Sequence, residues 1–169
     1  MTLKDKQTFR DALSAFPSGV TIVSTTDEKG RHWGFTASSF SSVSMDPPLV
    51  LVCIANTADS HPAFLSARRY SINILAQEQK DIAMHFARKG VDKFGPHEFR
   101  YGTGDDPLPP MLPGSRASLV CIARDVYEAG DHTVLIGEIE AVELSESAPL
   151  VYFNRGFRSL ELETADSLS

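Results

Sequence analysis

A mainly β fold, an antiparallel barrel either closed or split, with short helices at its ends, is what this 169-residue sequence predicts. Seven segments read as strands, and only three short ones read as helices. The strand–helix alternation of a parallel sheet is therefore missing. No internal repeat and no heptad pattern offers another architecture.

Taken in order, Phe9, Ala12, Leu13 and Phe16 recur at helical spacing and predict an amphipathic helix over residues 5–16, ended by Pro17-Ser18-Gly19. Gly19–Thr26 is rich in Val, Ile and Thr and reads as a strand; Asp27-Glu28-Lys29-Gly30 turns the chain into a second, Arg31–Ser39. Leu49–Ala55 is apolar on both faces, which predicts a central strand. Asp59-Ser60-His61-Pro62 places a cap and a first-turn proline before a short helix through Ala67. Tyr70–Leu75 alternates as a strand, and Gln77–Arg88 returns to helical spacing through Ile82 and Phe86. Gly95–Ser115 shows no period, being broken by Pro96, Pro107, Pro109, Pro110 and Pro113; it reads as a cover over a site, a wrap around a partner subunit or a solvated excursion. Arg116–Tyr127, Thr133–Leu144 and Leu150–Asn154 complete the strands.

Length and a 42% hydrophobic content fit one domain over residues 1–169, able to bury roughly 70% of its unfolded surface without disulfide or metal staples. Sixteen basic against 22 acidic residues give a net charge of −6, which excludes the basic stripe of a nucleic-acid binder. Met1–Lys6 carries charge and lacks the apolar core of a secretory signal. No apolar run approaches the ~20 residues that span a bilayer. Cys53 and Cys121 each lie in an apolar strand, the pattern of buried reduced thiols in a cytoplasmic protein.

Chemistry-bearing motifs of the common kinds are missing. Gly102-Thr103-Gly104 lacks the third glycine of a dinucleotide fingerprint, and neither a P-loop nor a nucleophile elbow occurs. The five histidines show no metal-ligand spacing, so no metal site is expected. An enzyme of this composition would take its chemistry from a cofactor. The segment Thr36-Ala37-Ser38-Ser39-Phe40-Ser41-Ser42-Val43-Ser44 holds five serines and a threonine before Asp46-Pro47-Pro48. It reads either as an oxyanion nest of O–H and N–H donors or as a Ser-rich strand end with a Pro-Pro exit. Beside it, Leu49–Ala55 offers a flat apolar surface, so a ligand with a phosphate and a large planar ring, the shape of a flavin nucleotide, suits the pair. Asn56–His61 is a second phosphate candidate or a capped turn. Arg88–Phe94 is a phosphate partner or a solvated helix end, Gly130–Thr133 a hairpin turn with an exposed histidine, and Asn154–Arg158 a bulged strand end or an anion contact.

In combination these pieces resemble the flavin reductase family, the small reductase components of two-component flavin-dependent monooxygenases. The matching stretches are Phe16–Val23, Gly34–Ser44, Asp46–Val50, Phe86-Ala87 with Lys93-Phe94, Gly130–Thr133 and Pro149–Phe153, in family order over about residues 8–158, leaving 159–169 as a tail. The resemblance implies an antiparallel, Greek-key, flavin-binding split barrel that forms homodimers. It implies an NADH-dependent enzyme (NADPH being possible) that reduces FAD or FMN and passes reduced flavin to a partner monooxygenase. Thr36, Ala37, Ser38, Ser39 and Ser42 would hold the isoalloxazine edge and phosphate, with Val52, Cys53 and Ile54 lining the ring. Ser60 and His61 would meet the ribityl-phosphate end, with Phe86, Arg88, Lys93 and Phe94 on its far side. His132 would face the nicotinamide as the catalytic candidate, and Tyr152, Arg155 and Phe157 would border that pocket. Arg155-Gly156-Phe157-Arg158 departs from the family's arginine–glycine–basic–aromatic order. A split-barrel flavoprotein oxidase that keeps its flavin, and a non-catalytic flavin-binding module, are the rival expectations.

Overall fold

The computed structural model describes residues 5–102 and 108–160. The charged start at residues 1–4, residues 103–107 of the aperiodic segment and the tail from residue 161 lie outside the described residues. Ten strands are described, β1 Ser18–Gly19, β2 Thr21–Thr26, β3 His32–Ala37, β4 Ser41–Met45, β5 Pro48–Ala55, β6 Arg69–Ile74, β7 Ala117–Ala129, β8 His132–Leu144, β9 Leu150–Phe153 and β10 Gly156–Ser159. Helices α1 Lys6–Ser14, α2 His61–Leu65 and α3 Lys80–Phe86 accompany them, α3 being entered through a 3-10 turn at Gln77–Gln79.

Seven strands form one antiparallel sheet in the order β3-β2-β6-β7-β8-β5-β4, and β1-β9-β10 form a second. The run β5-β8-β7-β6 is a Greek-key order. Register shifts at Val120/Cys121 and Ala123/Asp125 bend the long β7–β8 ribbon, as bulges do. Edges β3 and β4 are not paired with each other, so the barrel is split, although β3 passes close to β5. The second half of the serine segment, Ser41–Ser44, lies in a strand, β4, which the polar composition conceals. β5 has a strand on either side, yet only alternate residues are buried; Leu49, Leu51, Cys53 and Ala55 are half-exposed, so the expectation of two buried faces does not hold.

β2, like β6, is buried on both sides, successive side chains pointing to opposite faces. Val23 joins Phe35, Val52, Phe64, Ile72 and Leu135 inside the main sheet. Ile22 joins Val20, Leu75, Phe86, Phe99 and Leu150 beneath α3 and the small sheet. Buried Asn73 ties the aperiodic segment to these layers. Its amide donates to Ile22 O (3.1 Å), and its carbonyl accepts from Leu112 N (3.0 Å) and the Ser118 hydroxyl (2.9 Å). Asn73→Leu leaves these groups buried without partners and is expected to cost about 3 kcal/mol, read as a lower urea midpoint at unchanged slope.

α1 starts on a capping carboxylate, Asp5 accepting from Gln7 N and from the Thr8 hydroxyl, each at 2.9 Å. Its apolar stripe finds no core among the described residues, with Phe9 49%, Leu13 60% and the following Phe16 76% exposed. The β9–β10 turn holds the helix in place. There Asn154 and Arg155 both have positive φ, as a two-residue type I′ turn requires; Asn154 N donates to Ser14 O and Arg155 pairs with Asp11. The Asn154–Arg158 stretch is thus a hairpin.

Candidate functional site

A cavity of about 600 Å³ opens where the end of β3, the second half of β5, the end of α3 and the tip of the β7–β8 hairpin converge. Glycine brings these elements close enough. A Cβ at Gly34 would lie 2.8 Å from Phe86 Cε1 and 3.1 Å from Val23 O, so α3 packs on β3 only over a residue without a side chain. Thr36 fixes the same contact by donating its hydroxyl proton to Ala83 O at 2.7 Å. Ser39 Oγ accepts from Cys53 N (2.9 Å) and donates to Cys53 O (3.3 Å), stapling the strand exit to β5.

These bonds alter the expected nest. Thr36 and Ser39 place their protons on backbone carbonyls, and Ser41 donates to Ser42 O, so the segment holds the wall together more than it offers free O–H donors. Positive charge comes from the end of α3 and the loop after it, where Arg88, Lys89 and Lys93 border the cavity. Lys89 Nζ donates to Thr57 O at 2.8 Å, and Gly90 N donates to Asp59 Oδ2 at 3.1 Å, so the loops after β5 and α3 form one rim. Lys93 is half-buried and donates to Gly34 O at 3.0 Å. Burial holds its ammonium below the ordinary lysine range, and Asp59 offsets part of that.

His132 also borders the cavity, placed by the two-residue turn Gly130-Asp131, with Gly130 at φ +65°. Asp131 accepts from His132 Nδ1 at 2.7 Å, a bond that pulls the carboxyl below its usual range. A carboxylate only accepts, so Nδ1 carries the proton and Nε2 is left for a ligand. Thr133, one residue on, points inward, donating to Asn56 Oδ1 (2.8 Å) and accepting from His61 Nε2 (2.9 Å). Asn56 N also donates to Asp131 O at 2.9 Å, so loop 56–61 anchors the hairpin tip.

The cavity therefore gathers Thr36, Ala37, Ser38 and Ser39 from one wall and Cys53 and Ile54 from the next. Phe86, Arg88, Lys93 and His132 complete the expected residues that it collects. Others fall elsewhere. Ser42 lies exposed on β4, Val52 is fully buried in the core, and His61 spends Nε2 on Thr133. Tyr152 and Phe157 pack on the second core, and Arg155 is paired with Asp11. Ala55, Val134, Ala58, Ala129 and Lys89 also line the cavity without having been named individually as site residues from sequence, although Ala55, Ala58 and Lys89 lie in candidate stretches. Period-2 alternation points to the first two, since Ala55 follows Cys53 and Val134 follows His132 on the same faces. Cys121 is buried in the core, its thiol pushed up to about 12, whereas Cys53 is half-exposed at the cavity wall.

Ser60 and Phe94 border a second cavity of about 700 Å³, which shares Asp59 and Lys93 with the first. Ser60 Oγ is buried and has no hydrogen-bond partner among the described residues. Among the described residues, no group of three or more His, Cys, Asp or Glu is placed to hold a metal, and no helix is long and apolar enough to cross a membrane.

A family model described as "Flavin reductase like domain" matches residues 13–161. The actinorhodin polyketide dimerase of Streptomyces coelicolor is 44% identical over 92% of this chain and 87% of its own. The NADH-dependent flavin reductase of a Rhodococcus species is 40% identical over 90% and 85%. A probable flavin reductase of Rhizobium meliloti is 40% identical over 90% of this chain, which spans only 48% of that relative's length. Among solved structures, the NADH:FAD oxidoreductase of Streptomyces globisporus, in complex with NAD and FAD fragments, superposes with a TM-score of 0.87 at 31% identity, over 95% of this chain and 96% of that one. The fold and the matched length agree, and the chain belongs to the family of flavin reductase like domains.

Proposed function

We propose that the chain is an NADH-dependent flavin reductase that takes FAD or FMN into the first cavity and releases the reduced flavin to a separate monooxygenase component. The observation that carries this reading is the convergence of a small-residue wall, an apolar strand, a basic rim and His132 on one cavity of about 600 Å³, within the usual range for a ligand site. When bound, the flavin ring accepts hydride from the nicotinamide, so no protein nucleophile is required. Cys53 and Ala55 form a flat backing for the ring, and Ala37 and Ser38 allow backbone amides to approach its edge. Arg88, Lys89 and Lys93 supply charge-assisted hydrogen bonds to its phosphate. His132, its tautomer set by Asp131, presents Nε2 as an acceptor to the nicotinamide carboxamide and orients that ring over the flavin. The cavity stays open to solvent along its rim, which suits a flavin that comes and goes.

The experiment is NADH consumption by the purified chain with FAD, FMN or riboflavin supplied separately, and with NADPH in place of NADH. Oxidation that is absent without flavin and saturates with added flavin is expected. Flavin binding without NADH consumption would favour the binding module, and turnover of an organic substrate by tightly retained flavin would favour the oxidase.

We place the protein in the cytoplasm as a homodimer. Two unpaired thiols fit a reducing compartment. A second copy is the natural cover for the exposed stripe Phe9-Leu13-Phe16 and for Val142 and Leu144 on β8, apolar surface that a lone chain leaves in water. Sedimentation equilibrium is expected to return twice the chain mass, and Leu13→Glu to shift it towards the monomer.

A further inference from the structure

The corner that presents His132 has little of its own to hold it. From Arg124 to His132 every residue is exposed, and burial resumes at Thr133 and Leu135. Main-chain pairing with β5 ends on the rung between Ala55 and His132. Past that rung, among the described residues, Asn56 alone makes hydrogen bonds to the corner from outside the hairpin. Its backbone N–H donates to Asp131 O (2.9 Å), its side-chain amide donates to Gly130 O (3.3 Å), and its Oδ1 accepts from the Thr133 hydroxyl (2.8 Å). Asn56 itself borders neither cavity. We propose that Asn56 is a positioning residue for His132, clamping the β7–β8 corner so that the imidazole stands fixed at the first cavity. The proposal rests on the reductase reading for what His132 then holds, while the support for the clamp is local.

The directions of these bonds follow from the groups involved. An amide nitrogen donates and a carbonyl accepts, so the contact with Gly130 O turns the Asn56 nitrogen to the corner and its oxygen to Thr133. Thr133 has one hydroxyl proton, and it goes to that oxygen. The lone pairs that remain on Thr133 accept from His61 Nε2 at 2.9 Å, so His61 carries its proton there. This chain of donors ends on firm ground. His61 opens α2, which Phe64 seats in the main core, and Ala58 packs against the same cluster. On the other flank, Lys89 Nζ donates to Thr57 O at 2.8 Å. The stretch Asn56–His61, a phosphate candidate by sequence, therefore serves as the base of a clamp. Without it the tip is held by its own two strands, and a shift of ~1 Å in a group that orients reactants can lower a rate about 100-fold.

Asn56→Ala removes both side-chain bonds at an exposed position, so the variant is expected to fold. Its KM for NADH is expected to rise about 10-fold while the dissociation constant of flavin stays the same. In a His132→Ala background the same replacement is expected to add nothing, because a residue that acts through the imidazole then has nothing to position. Thr133→Val should move the KM in the same direction and Thr133→Ser should restore it. Amide order parameters from NMR relaxation read the clamp apart from activity, and those of Gly130–His132 are expected to fall in Asn56→Ala. An unmoved KM, a rise of equal size with and without the His132 imidazole, or unaltered order parameters at the corner overturns the proposal. Flavin-dependent NADH oxidation by the unaltered chain alongside that outcome would leave the reductase reading standing. A corner loosened by Asn56→Ala in a chain without any such oxidation would do the reverse, upholding the clamp and refuting the reductase.

Discussion

Replacing Lys93 by alanine is expected to weaken FMN binding by about 10–100-fold while leaving riboflavin binding nearly unchanged, because only FMN carries the phosphate that the ammonium meets. The effect is large because the amine is already placed. Half-buried and fixed on Gly34 O, it loses little freedom when the anion arrives. Burial also depresses its pKa, which gives the interaction a pH signature. In the free protein this proton is held more weakly than in the unfolded chain. The associated cost to folding is therefore present at neutral pH and is relieved as pH rises through the window between the folded value and the ordinary lysine value. A phosphate dianion favours the charged form, so FMN affinity is full at neutral pH and falls as pH climbs through that same window. Fluorescence titration of FMN and riboflavin across this range is the measurement. Parallel pH profiles for the two flavins, or an unaltered FMN affinity in Lys93→Ala, would remove Lys93 from the phosphate site.

The second large effect belongs to His132. His132→Ala is expected to raise the KM for NADH by about 10–100-fold while the dissociation constant of flavin changes little, since the imidazole borders the cavity from the β7–β8 hairpin tip and is not among the residues assigned to the flavin phosphate. Asp131→Asn should give a smaller loss in the same direction, because an amide can present either oxygen or nitrogen to Nδ1 and no longer dictates the tautomer. An unchanged KM and turnover in His132→Ala would deny this histidine any part in holding NADH.

Much of the barrel was legible from residue patterns, because β-branched runs and alternation are local signals; β2, β3, β6, β7, β8 and β9 fall where those signals lie. β4 was hidden because Ser41-Ser42-Val43-Ser44 forms an exposed edge, where no core selects apolar residues. The cavity was partly legible through its ordered motifs, which name Thr36–Ser39, Arg88, Lys93 and His132. What sequence conceals is how hydroxyl protons are used, since whether Ser39 faces a ligand or Cys53 depends on a strand 14 residues away. Distance in the chain likewise hides the junction at Lys93, whose neighbours Gly34 and Asp59 come from two other elements.

The turn that presents His132 carries a rule for how this protein can change. Along β8, His132 and Val134 look into the cavity while Thr133 and Leu135 look into the core, and Asn56 grips the backbone at the corner. Adding one residue to Gly130-Asp131 would either break that grip or swap the two sets, sending the imidazole inward and a core side chain outward. The corner therefore takes substitutions within Gly130-Asp131 more readily than a change in its length, which has to be absorbed by a bulge if His132 is to keep its face.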